Sequence, residues 1–139
     1  MTPTAYSVYY GMGKQRRYIS LAKKVAEQSN YGKFRHGAIL VKGSSIRNVA
    51  CNKHRHCRFG KRFRDYNDGD PTLHAELGAI LGMDRSITQG STIYVVRINR
   101  EGLPRMSKPC PMCESAMKHV GVKRVVYTDR DGRIENMTL

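Results

Sequence analysis

A chain of 139 residues with 40% hydrophobic content is one domain's worth, can bury a core without staples, and is not expected to be disordered. No run approaches the roughly 20 apolar residues that cross a bilayer, so a membrane partner is not expected. Lys and Arg number 25 against 11 Asp and Glu, a formal charge of +14. The excess is one-sided: residues 1–64 hold fifteen basic residues and one acid, Glu27, whereas the remainder holds ten of each. A basic half points to a polyanionic partner such as nucleic acid, beside the plainer reading of a solvated basic surface. The N-terminal stretch MTPTAYSVYYGMGKQRRY lacks the basic-then-apolar layout of a secretory signal, so a cytoplasmic location is expected, in host cytoplasm if the source is viral. In such a reducing compartment the close pairs Cys51/Cys57 and Cys110/Cys113 suggest metal or redox chemistry before disulfides.

Residues 1–13 are Tyr/Gly-rich without period and are expected to form a loose arm ahead of a single domain over 14–139. Tyr18, Ile19, Ala22, Val25 and Ala26 share one helical face, and Asn30 and Gly32 stop that helix. His36–Lys42 and Ile46–Cys51 read as two strands around a Gly43-Ser44-Ser45 turn. A long polar, basic connection follows over 53–73, and Leu73, Leu77, Ile80 and Leu81 mark a second helix. Thr92–Ile98 is a buried strand, Pro109–Val120 a third helix with Pro in its first turn, and Arg124–Thr128 another strand. Asp131-Gly132 is a hairpin signal leading to a last strand, Arg133–Leu139. The order predicts a three-layer α/β/α fold.

Two fragments carry chemistry: His74-Ala75-Glu76 and Pro109-Cys110-Pro111-Met112-Cys113, each at a helix start. Cysteines three apart at such a start share a face, so both sulfurs can reach one ion, with His74 as a third ligand. Three protein ligands leave one tetrahedral position of Zn2+ open, the mark of a catalytic rather than a structural centre. Glu76, two residues beyond His74, lies beside the metal without binding it and can move a proton. Either fragment alone is weak, since C-x-x-C also serves redox pairs and half-sites. Together, H-x-E followed by P-C-x-x-C is the signature of zinc nucleobase deaminases. A nucleic-acid-binding zinc module without catalysis would need no Glu76.

On these fragments the chain resembles the cytidine and deoxycytidylate deaminase superfamily, small phage deaminases included, over about residues 17–139. HGAILVKG resembles the family's first core strand, HAELGAIL the stretch HAELNAIL with Gly78 in place of Asn, and KPCPMC the zinc segment. The resemblance implies a central five-stranded mixed sheet, ending here in an antiparallel C-terminal hairpin, and hydrolysis of cytosine to uracil. It also implies that Asn52, at a strand end, contacts the substrate sugar. Ala75 and Lys108, beside the zinc fragments, and His36, at the mouth of the first strand, join it as candidate substrate contacts. The sequence departs from the family's pattern at Asn99–Lys108, which separates the third strand from the Pro-Cys pair, and in the basic loop.

The substrate divides into two readings. Arg58, Lys61, Arg62 and Arg64 alternate with Phe59, Phe63 and Tyr66 in the loop between Asn52 and His74, a pattern that can stack bases and hold phosphates. Single-stranded DNA or RNA is therefore the favoured substrate, with dCMP or cytidine of the nucleotide pool as the alternative, and adenosine or another base as a third option. Cys51, His54, His56 and Cys57 form a second candidate metal cluster, though their short spacing makes tetrahedral closure awkward.

Overall fold

The computed structural model describes residues 3–30, 34–56 and 72–139, with side chains for 13–30, 34–53 and 74–139. Helix α1, Pro3–Ala26, leads into strand β1, Arg35–Lys42. The helix thus takes in most of the segment expected to be a loose arm. Gly11 and Gly13, each costing about 1 kcal/mol in a helix interior, mask that continuation in the sequence. Once the turns around Tyr18–Ala26 are fixed by packing, each further residue adds a hydrogen bond without a new nucleus. Strand β1 turns through Gly43 and Ser44, both at positive φ (59° and 63°), into β2, Ser45–Cys51. Two such residues in succession make the two-residue turn whose twist suits an antiparallel hairpin.

Short strands β3, Lys53–His56, and β4, Thr72–Leu73, pair antiparallel in a small second sheet that closes the base of the long basic connection. Leu73, expected in the second helix, belongs to β4. Helix α2 runs Ala75–Ile80, and one further turn of helix, α3 at Arg85–Thr88, is capped by the Asp84 carboxylate accepting from the Ser86 N–H at 2.8 Å. The remaining elements are β5, Thr92–Ile98; β6, Pro104–Arg105; α4, Pro111–His119; β7, Arg124–Thr128; and β8, Ile134–Thr138. The main sheet has the order β2-β1-β5-β7-β8, with β6 paired to the end of β5, six strands in all. Only β5 and β7 are parallel; the crossover between them passes through α4. The last hairpin is antiparallel, as expected, and turns at Gly132 with φ 82°. The mixed α/β fold follows expectation, and the sixth strand arises from the segment 99–108.

Period-two alternation splits the strands between two cores. Ile39, Val41, Tyr94, Val96, Ile98 and Val126 face α1, meeting Tyr18, Ile19, Ala22 and Ala26. Gly37 lies directly beneath that helix, and a Cβ there would collide with the Ala22 carbonyl and the Ala26 amide. Ala38, Leu40, Ile93, Val95 and Val125 face the other way, against Leu77, Met112, Cys113, Ala116 and Met117 of α2 and α4. Cross-strand partners share a face, so this second face is built in rows. Leu40–Ile93–Val125 and Ala38–Val95–Tyr127 are apolar, and the next row, His36–Arg97–Arg105, is polar. The sheet thus changes from core to cavity at the C-terminal end of β5.

Candidate active site

His74 is the N-cap of α2 and Cys110 the N-cap of α4, both with extended backbone and neither side chain used in capping. Pro111 opens α4, and the first helical bond runs from the Glu114 N–H to the Cys110 carbonyl at 2.9 Å. Cys113 sits one turn on, fully buried. The inserted segment delivers Cys110 to this place. It turns at Gly102, φ 81°, returns along β5 as β6, and is pinned by Ser107, whose Oγ donates to the Val95 carbonyl at 2.9 Å and accepts from the Thr128 N–H at 2.8 Å.

The His74 Nδ1 lies 3.3 Å from Cys113 Sγ and 3.8 Å from Cys110 Sγ, and all three donor atoms fall within 4.8 Å of one another. Zn–N and Zn–S bonds of about 2.0 and 2.3 Å at a tetrahedral angle place N and S about 3.5 Å apart, so the group fits one zinc ion. It is the one such cluster among the described residues. Hydrogen bonding from Cys113 pulls the Cys110 thiol down to about 4 against its burial, with His74 assisting. The same bond, with burial and the Glu76 charge, pushes Cys113 well up. The bond to Cys110 raises His74. The trio therefore shares protons that a metal would displace.

A cavity of about 300 Å³ opens on this cluster, lined by His74, Cys110, Glu76, His36, Asn52, Lys108, Phe34 and Arg97. Glu76 is 4% exposed. Burial, outweighing the attraction of Glu76, holds His36 below its ordinary value, so the imidazole is neutral at pH 7. The Asn52 carboxamide fastens the start of β1. Its Oδ1 accepts from the His36 N–H at 2.8 Å and from the Ser29 hydroxyl at 2.6 Å, while Nδ2 donates to the Phe34 carbonyl at 2.7 Å. Two acceptor sites and one of two amide hydrogens are thereby used, leaving one N–H.

Of the candidates named from sequence, His74, Cys110, Glu76, Asn52, His36 and Lys108 line the cavity, with Cys113 behind them. Ala75 does not line it; its methyl is enclosed in the core under α2, which leaves only its backbone to offer. Arg58, Lys61, Arg62 and Arg64 lie outside the described residues, as do Cys57 and the side chains of His54 and His56. Cys51 is a half-buried free cysteine at the end of β2. Sequence reasoning missed Arg97 and Phe34. Arg97 had a signal, being in phase with the core residues Ile93 and Val95; Phe34, ahead of a strand, had none.

The family model for the zinc-binding region of cytidine and deoxycytidylate deaminases matches residues 12–129. The chain belongs to this family. It is 26% identical over 125 residues to a deoxycytidylate deaminase of Mycobacterium phage D29, covering 79% of this chain and 90% of that one. A cytidine deaminase from Burkholderia pseudomallei shares the fold at a TM-score of 0.61, with 22% identity over 88% of this deaminase-family chain and 91% of its own. Acinetobacter baumannii RibD shares it at 0.55 and 19% identity over 85% of this chain, which spans only 28% of RibD. The cofactor of the family, Zn2+, is the ion the His74/Cys110/Cys113 group fits. No helix among the described residues is long and apolar enough to cross a membrane.

Proposed function

We propose that this chain hydrolyses the exocyclic amine of cytosine in a mononucleotide such as dCMP, releasing ammonia and leaving uracil. The observation that carries the reading is the convergence of the His74/Cys110/Cys113 group and the buried Glu76 carboxylate on one cavity. His74, Cys110 and Cys113 would hold the zinc, which when bound would supply Lewis acidity and lower the pKa of the attacking water. Glu76 takes one proton of the attacking water and gives it to the ring nitrogen beside the reacting carbon; it then takes the second, from the new carbon-bound hydroxyl, and gives it to the amine, which leaves as ammonia while the hydroxyl oxygen becomes the carbonyl of uracil. The burial of Glu76 keeps bulk water from competing for those protons. Neutral His36 and the free N–H of Asn52 orient the sugar, the Ala75 backbone borders the base, and Lys108 meets negative charge.

The kinship with a phage deoxycytidylate deaminase supports the mononucleotide over a single strand. The loop cations that favoured a strand, Arg58, Lys61, Arg62 and Arg64, add nothing from the described residues. Purified protein offered dCMP, deoxycytidine and a cytosine-containing oligonucleotide in parallel, with ammonia as readout, tests this. Turnover of dCMP well above the oligonucleotide is expected. Deamination of the oligonucleotide with dCMP untouched would replace this reading by the strand editor.

A further inference from the structure

We infer that Arg97, stacked on Phe34, is the specificity-determining residue of the cavity and binds the 5′-phosphate of the substrate; the inference rests on the mononucleotide reading above. Arg97 occupies a position that the strand's period assigns to the core. Ile93 and Val95, four and two residues before it on the same face of β5, are completely buried. Its neighbours across the strands are His36 on β1 and Arg105 on β6, neither an acid. Its guanidinium carbon lies 4.6 Å from the centre of the Phe34 ring. Among the described residues the buried Nε has no hydrogen-bond partner.

A buried, unpaired donor carries a desolvation cost that a protein rarely leaves unmet. Here the donor lines a cavity, so the partner can arrive with the ligand. The charge balance says what that partner is. Among the described residues lining the cavity, Arg97 and Lys108 carry the side-chain cations and Glu76 is the one carboxylate. Glu76 lies beside His74, Cys113 and His36, where its charge is felt by each of them. Among the described residues, Arg97 is thus left without a carboxylate partner, and an anionic ligand would supply one. A planar guanidinium whose face rests on an aromatic ring presents its N–H edge in a fixed plane, the geometry that grips a phosphate by two parallel bonds. Phe34 is held by the same Asn52 amide that fastens His36, so the aromatic support and the sugar-facing groups share one anchor.

Equilibrium binding of the reaction products by calorimetry tests this without turnover. Wild-type protein is compared with Arg97→Gln, Arg97→Lys and Phe34→Leu, using dUMP, deoxyuridine and a short uracil-containing oligonucleotide without a terminal phosphate. The wild type should prefer dUMP over deoxyuridine by about 10–100-fold, the strength of a charge-assisted pair of bonds. Arg97→Gln should bring that ratio below about 3, Arg97→Lys should restore part of it, and Phe34→Leu should lower it partway. A ratio near 1 in the wild type, or one unchanged in Arg97→Gln, would overturn the assignment even if dCMP proves to be the substrate. Oligonucleotide binding as tight as dUMP and equally dependent on Arg97 would also overturn it, in favour of a strand phosphodiester. A high, Arg97-dependent ratio in a protein that fails to deaminate dCMP would uphold the phosphate site and refute the proposed reaction.

Discussion

The two faces of the central sheet use the same strands for different ends. On the α1 face, Ile39, Val41, Tyr94, Val96, Ile98 and Val126 close against a single helix in a cluster of aliphatic and tyrosine side chains. On the opposite face, the apolar rows give way to His36, Arg97 and Arg105 at the sheet's end, and two helix starts bring in His74, Glu76, Cys110 and Cys113. Adjacent residues of one strand, such as Val96 and Arg97, therefore answer to different constraints. The first is there for packing. The second is a half-buried cation whose buried Nε finds no hydrogen-bond partner among the described residues. Function is concentrated where one face stops being a core, and the other face can stay a core because nothing reacts there.

Substitutions should separate the faces. The largest effect is expected of Cys113→Ala, which removes a ligand: metal content should fall from one zinc per chain towards none, with activity lost, as elemental analysis beside an ammonia assay would show. Glu76→Gln should come next. It should keep its zinc and its fold while losing about 10²–10⁴-fold in kcat, the share that acid–base catalysis supplies. Near-normal turnover would remove Glu76 from the mechanism. On the α1 face Ile39→Ala should cost about 2–5 kcal/mol in denaturant unfolding, through a cavity beneath α1, while the folded fraction keeps its kcat. If kcat fell in step with stability, the two faces would not be independent. Smallest of all, Ile46→Thr on the exposed edge strand β2 should shift stability by no more than about 0.5 kcal/mol and leave kcat alone.

Much of this division was legible in the sequence. The β-branched and aromatic run Thr92–Ile98 announced a buried strand, the helix expected over Pro109–Val120 turns Cys113, Ala116 and Met117 to the core, and H-x-E with P-C-x-x-C pointed to the side chains that meet as the His74/Cys110/Cys113 group. What escaped was decided by tertiary contact. The start of α1 was hidden by two glycines, and α3 is a single turn held by an Asp84 cap. Strand β6 is a two-residue pairing beside the point where Ser107 ties the inserted segment to the middle of β5 and the end of β7. Leu73 fitted a helical stripe but was claimed by pairing with Lys53. Arg97 was visible as a cation in phase with core residues. Its significance needed the cavity, because only there does a half-buried guanidinium with no acid beside it become a request for an anion.

Zinc titration into metal-depleted protein, with dCMP turnover as readout, tests the centre most directly. Activity should be negligible without metal, rise in proportion to added zinc and break sharply at one equivalent per chain, the stoichiometry of the His74/Cys110/Cys113 group, the one such cluster among the described residues. Full turnover at zero equivalents, or a break at two, would contradict the account.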